Sequence, residues 1–482
     1  MLSLLTLLAC QHDPEILPFP EGFRFGVATA GFQVDPGCPT LPEADCVDAA
    51  SDWYQWVTDP DLADEGDLYL SGDPLSLGPG HWELWEQDLD LAAESIGAGA
   101  YRFSFEWSRL FPDGAAEAAT SVDELAAYVD PAALAWYHAY LEGVRARGME
   151  PIATINHYTL PLWVHDGRAC HYDISACEAR GWVDGDRIVP LITLYAGFLA
   201  REFGEDLTWW LTLNEPIAVI QPGYIFRTED RTNPPGITDM GLALTVAWNM
   251  ARAHLAMAEA VRAEDPDAEV GVVANLGLAL PMEEDDPEDI EGAQHLDYIY
   301  NQLLLDAFLD GKMDWNLDGI TDEEHPEFVG KTDFIGLNYY FALKVSGFSA
   351  PMPGFGDYPY MDFFPSELDD SPELLGDAIA LTAARGLPIW ITENGIANPT
   401  PEDARSFLRP ALEAVQAKTQ EGVDIRGYLY WSLIDNYEWN HGMGMTFGLY
   451  EVNLDTKARV LRPIGEAYAE VAKAGGLPVL SE

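Results

Sequence analysis

Apolar, strand-length runs recur eight times along this chain, and helical patterns fill most of the gaps between them. The runs are Phe23–Ala28, Ala100–Phe105, Pro151–His157, Thr208–Asn214, Glu269–Asn275, Asp333–Tyr339, Pro388–Glu393 and Gly427–Leu433. The fourth, with Trp209, Trp210, Leu211, Thr212 and Leu213, has the bulky and β-branched character of a buried parallel strand. The segments His81–Ile96, Pro131–Arg147, Ile188–Phe203, Ala243–Glu264 and Glu402–Gln420 carry apolar residues at helical spacing. Strand–helix alternation implies a parallel sheet. Eight such units predict an α/β fold, a (β/α)8 TIM barrel with long loops at its C-terminal face. Segments 34–80 and 346–370 are predicted to be such loops, on a single domain spanning 19–475.

The charge balance narrows the partners. The 482 residues hold 25 Lys and Arg against 81 Asp and Glu, a net charge of −56. That repels nucleic acid and polyphosphates, and it reads as a heavily solvated surface suited to salt. The first ten residues, MLSLLTLLAC, resemble a short lipoprotein signal with Cys10 as the lipidated residue, although no Lys or Arg precedes the apolar run. Residues 1–18 are therefore predicted as a signal-like segment and tether, and the protein as exported to the periplasm or cell surface. The other cysteines, Cys38, Cys46, Cys170 and Cys177, form two close-spaced pairs. Cys38–Cys46 and Cys170–Cys177 are the natural disulfides among three connectivities, and they agree with an oxidising compartment. The spacings do not suit zinc.

A barrel places its active site at the C-terminal ends of its strands. Reading those ends in order gives Gln33 after the first strand and Arg102 in the second. The third ends on Asn156 and His157, the fourth on Asn214 and Glu215, and the fifth on Asn275. The sixth ends on Asn338, Tyr339 and Tyr340, and the seventh on Glu393 and Asn394. The eighth carries Trp431, with Glu438 and Trp439 soon after. Neutral hydrogen-bonding groups, two strand-end glutamates and tryptophans converging on one mouth suit a polyhydroxylated ligand. No Gly-rich phosphate loop, HExxH or GxSxG elbow is present.

Seven motifs then appear in order: FRFGVATAGFQVD, YRFSFEWSRLFP, INHYTLPLW, TLNEP, DFIGLNYY, ITENG and YWSLIDNYEWNHG. Together they resemble glycoside hydrolase family 1, the β-glucosidase and β-galactosidase family, over about residues 19 to 470. SDWYQWVTDP and SGDPLSLGPGHW further resemble its archaeal β-glycosidase branch. The resemblance implies Glu215 as general acid/base and Glu393 as nucleophile. It implies Arg102 and Tyr340 beside the nucleophile, and Asn214 on the sugar 2-hydroxyl. It places Gln33, His157, Glu438 and Trp439 on the other hydroxyls, and Trp431 under the ring. No catalytic cofactor is expected. Two departures stand out: Asp35 where the family usually has Glu, and Thr446 where it often has Arg. The retained Glu438 and the absence of basic phosphate ligands disfavour 6-phosphoglycosides.

The implied chemistry is retaining hydrolysis of β-glucosides, or of related β-galactosides and β-fucosides, through an oxocarbenium-like transition state. It needs the two carboxyl groups about 5–5.5 Å apart. Glu215 must arrive protonated and Glu393 ionised. Transglycosylation, or a surface carbohydrate-binding protein without catalysis, are the alternatives. Glu106 reads as structural.

One stretch lies outside this pattern. In DWNLDGITDEEH, the residues Asp314, Asn316, Asp318, Gly319 and Asp322 follow the spacing of a calcium loop, with the Ile320 carbonyl as a further ligand. His325 stands where such loops end on Glu. The reading is a structural Ca2+ site or an Asp-rich surface turn.

Overall fold

The computed structural model describes residues 16–226 and 232–479. Its centre is a closed barrel of eight strands: β1 (Arg24–Ala28), β2 (Ala100–Ser104), β3 (Glu150–Asn156), β4 (Trp209–Leu213), β5 (Glu269–Asn275), β6 (Phe334–Asn338), β7 (Ile389–Asn394) and β8 (Ile425–Trp431). Each strand pairs in parallel with the next, and β8 closes onto β1 through five residue pairs, from Gly427 with Arg24 to Trp431 with Ala28. The predicted runs match these strands to within two residues at either end.

Side-chain direction sorts the core into two layers. Ala28, Ala100, Ile152, Leu211, Val273, Phe334, Trp390, Leu429 and Trp431 pack inside the barrel. The larger layer lies between the strands and the surrounding helices, among them Pro131–Ala146, Gly185–Phe203 and Met240–Glu264. β4 shows the alternation within one strand. Trp209 and Leu211 face the barrel interior, whereas Trp210 packs outward and Thr212 hydrogen-bonds His254 on a surrounding helix, 2.7 Å. A short antiparallel pair, Ile16–Pro18 with Gly476–Pro478, ties the two ends of the described chain together.

The long connections are more ordered than the sequence suggests. Segment 34–80 contains the helices Glu43–Cys46, Asp52–Thr58 and Pro60–Ala63; Ser51 and Asp59 cap the latter two. Segment 346–370, expected as a loop, carries the strand Phe363–Asp369. That strand pairs antiparallel with Ala342–Gly347, which pairs in turn with Leu278–Pro281. The Pro365 irregularity and the exposed polar residues Ser366 and Glu367 hide this strand from a periodicity argument. Both predicted disulfides, Cys38–Cys46 and Cys170–Cys177, are formed. Cys10 lies outside the described residues. Among the described residues no helix is long and apolar enough to cross a membrane.

Candidate active site

β4 ends because its chain reverses direction at Glu215. That residue adopts a left-handed backbone (φ 41°), and Pro216 then opens the helix Pro216–Ile220. A non-glycine residue held there costs about 1–3 kcal/mol, and such strain collects at functional sites. Proline suits the first helical position, where its missing N–H is not needed. The β4 ladder is kept to the end: the Asn214 N–H donates to the Asn156 carbonyl and the Glu215 N–H to the Val273 carbonyl, 2.9 and 3.1 Å. The carboxyl group is thus delivered, 3% exposed, into the barrel mouth.

Glu393 arrives from β7. Its Oε1 accepts from the Arg102 guanidinium at 2.5 Å, and its Oε2 from the Tyr340 hydroxyl at 2.7 Å. Arg102 is fully buried. It spreads its fork over four partners: besides Glu393, Nε donates to Thr154, Nη2 to the Asn214 side-chain oxygen and Nη1 to the Thr392 carbonyl, 3.1, 2.6 and 3.4 Å. Among the described residues Glu215 has only neutral donors. Tyr158 and Asn275 donate to its Oε2 at 2.6 and 3.1 Å, and Asn338 donates to its Oε1 at 2.6 Å. Asn338 is itself held by Thr392. Burial raises the Glu393 carboxyl to about 7; Arg102, the largest opposing influence, pulls it down, and the Glu215 charge adds to the rise. Glu393 thus has a guanidinium among its partners, and Glu215 is met by a phenol and two amides.

The remaining predicted site residues line the same cavity of about 650 Å3. Gln33 donates to Glu438 and Asn436, 2.6 and 3.0 Å. Asn214 contacts His157 Nε2 at 3.1 Å. Burial, reinforced by Arg102, holds His157 well below the usual histidine range, so it is neutral. Trp431 is buried at the cavity wall, its ring 6.0 Å from that of His157. Trp439 is wedged between Phe32, Trp53 and Tyr158. Among the described residues, Gln33 Oε1 and His157 Nδ1 are buried without a hydrogen-bond partner. Such atoms are costly unless a ligand meets them.

Sequence reasoning placed Asn275 and Asn338 at the mouth but gave them no role, and it passed over Tyr158 and Asn436. For Tyr158 the only signal was its place beside His157. Thr446 sits in a polar turn, where its N–H and hydroxyl contact the Asn398 side-chain oxygen at 3.1 and 3.2 Å. Asp35 is buried and paired with Arg109 at 3.1 Å, behind the mouth. The acidic loop after residue 313 is tied by its own hydrogen bonds. Asp314, Asp318 and Asp322 accept hydrogen bonds from backbone N–H groups of their own loop. Among the described residues no three His, Cys, Asp or Glu side chains are placed to hold a metal ion. A cleft of about 770 Å3 opens at the other end of the barrel. Its guanidinium groups are engaged by carboxylates, as in Arg24–Glu150 and Arg201–Glu264.

Comparison with known proteins settles the lineage. A family model described as Glycosyl hydrolase family 1 matches residues 16–355 and 372–477. The chain belongs to glycosyl hydrolase family 1. It is 31% identical to a β-galactosidase of Pyrococcus woesei, over 92% of this chain and 94% of that protein. It is 28% identical to β-glucosidase A of Thermotoga maritima, over 95% and 98%. The crystal structure of the Thermosphaera aggregans β-glycosidase superposes with a TM-score of 0.82 at 27% identity, covering 96% of this chain and 98% of that one. This family 1 protein is therefore a β-glycosidase. Residues 356–371, which the family model leaves unmatched between its two matched stretches, include the strand Phe363–Asp369 on the rim of the cavity.

Proposed function

We propose that Glu215 is the general acid/base and Glu393 the nucleophile of an exo-acting hydrolysis of β-glucosides, with β-galactosides and β-fucosides as related substrates. The asymmetry of the two carboxyl environments carries this reading. Glu393 faces a guanidinium and a phenol, which favour its anion. Glu215 faces neutral donors and keeps the proton that a leaving oxygen needs. When Glu393 becomes esterified its charge disappears, and Glu215 then serves as base for the attacking water. Asn214 is assigned to the sugar 2-hydroxyl. The unpartnered atoms of Gln33 and His157, with Glu438 and Trp439, are assigned to the remaining hydroxyls, and Trp431 to the ring face. The test compares wild type, Glu215→Gln and Glu393→Gln on a chromogenic β-glucoside. Loss of turnover in Glu393→Gln is expected, with release of an anomerically retained sugar by wild type. An inactive wild type that still binds glucose rejects the reading.

The outer cavity supports a finer assignment. Phe226, Phe341, Leu343, Phe363, Leu368 and Phe447 line it, and Phe363 and Leu368 belong to the segment outside the family match. These surfaces favour aglycones with an apolar face, aryl or alkyl, over a second sugar. A panel should give higher kcat/KM for aryl and octyl β-glucosides than for cellobiose.

Export and lipid anchoring at Cys10 are part of this proposal, supported by the two disulfides. Partition of the full-length protein into a detergent phase, lost in Cys10→Ala, tests them. Calcium at loop 314–322 is proposed on its sequence pattern alone. A higher Tm in calcium than in chelator supports it, and equal values reject it.

A further inference from the structure

We propose that the Tyr158 hydroxyl is a positioning residue for the acid proton of Glu215, a role that rests on the assignment of Glu215 as acid/base. Tyr158 is held by the fold for this contact. Its backbone lies in the left-handed region (φ 72°), and the Thr159 N–H bonds the His157 carbonyl across it at 2.9 Å, a tight three-residue turn. A bulky aromatic residue seldom adopts that conformation. Here it turns the ring away from the strand direction and lodges it against Trp439, with ring centroids 5.0 Å apart. The hydroxyl then meets Glu215 Oε2 at 2.6 Å. That oxygen also accepts from Asn275 Nδ2, so both of its lone pairs are occupied. Oε1 accepts only from Asn338 among the described contacts. The acid proton is thereby directed to Oε1.

The bond changes during the reaction. As the glycosidic C–O bond breaks, Glu393 attacks the anomeric carbon and the C–O electron pair stays on the leaving oxygen. That oxygen takes the proton from Glu215. Tyr158 keeps its own proton, and its O–H now donates to a full carboxylate, a charge-assisted bond stronger than the one before. In the second half, water gives a proton back to Glu215 as its oxygen attacks the anomeric carbon and Glu393 departs. Tyr158 thus stabilises the charge that develops on the acid as it gives up its proton. The other titratable and charged groups around this cavity are Glu393, Tyr300, Tyr340, Glu438, His157, His441, Glu367 and Asp370, with Arg102 behind Asn214. Tyr158→Phe leaves all of them in place.

The experiment measures kcat/KM against pH for wild type and Tyr158→Phe on two β-glucosides. Methyl glucoside needs a proton to leave, and 2,4-dinitrophenyl glucoside does not. For the variant, the alkaline limb should move up by about one pH unit, the size expected for a lost hydrogen bond to a charged group. kcat/KM on the methyl glucoside should fall roughly three- to tenfold. Near-normal turnover of the dinitrophenyl glucoside then shows that the variant is folded. Equal losses on both substrates, or an unmoved limb, overturn the role of Tyr158. A Glu215→Gln variant that retains its methyl-glucoside activity overturns the acid assignment itself.

Discussion

At the scale of single residues, charge and burial compete, and the partners decide. Glu106 is fully buried and accepts from Ser104 and Thr159 at 2.9 and 2.6 Å. Among the described residues no cation bonds it, and burial raises it to about 8. It therefore holds its proton when folded between about pH 4.5 and 8, where the unfolded chain loses it. The folded state binds more protons in that window, so stability is lost as pH rises through it. Glu106→Gln should make the fall of Tm between pH 5 and 8 shallower than in wild type, read by calorimetry. Arg102 is the opposite case, since its guanidinium lowers the Glu393 carboxyl. Lysine cannot reproduce a planar fork that reaches Glu393, Asn214 and Thr154 together. Arg102→Lys should therefore raise the acid limb of kcat/KM, because more Glu393 is protonated at a given pH. The limb should move by about one unit.

At the scale of elements, the site depends on close approach of strand ends. Gly395 follows the Glu393–Asn394 end of β7, and a Cβ there would stand 2.0 Å from the Trp431 carbonyl oxygen of β8. Asn394 ties the same corner together, donating to the Tyr339 carbonyl and accepting from Tyr428, both at 2.7 Å. The Asn-Gly pair looks like an ordinary turn signal in the sequence. In the fold it lets β7 and β8 bring Glu393 and Trp431 to one mouth. Gly395→Ala should cost roughly 1–3 kcal/mol or more, because backbone cannot yield as a side chain can. Thermal melting checks the stability, and activity should fall with it. The rim strand Phe363–Asp369 shows the reverse: the sequence read it as loop, and only pairing with Ala342–Gly347 makes it a wall.

At the scale of the whole molecule, the surface charge dominates. Eighty-one acidic against 25 basic side chains repel one another across a folded surface. The Debye length shrinks from about 30 Å at 0.01 M to about 3 Å at 1 M, so salt removes most of that repulsion. Tm should rise by several degrees between 10 mM and 1 M NaCl, the order expected for a few kcal/mol in a chain of this size. A flat or falling Tm would contradict this. The same scale separates what the chain states from what the fold decides. Hydrophobic periodicity and strand-end chemistry are local, so the eight strands, their order around the barrel and the placing of Glu215 and Glu393 at its mouth could be read from the sequence. The tertiary structure decided which donor meets which carboxyl oxygen. Asn338 reaches Glu215 across 123 residues, Arg102 reaches Glu393 across 291, and Tyr158 reaches Glu215 through a strained turn. Those contacts depend on strand register and on backbone direction at single residues. A one-residue change in either would leave the sequence pattern intact and the site without its proton balance.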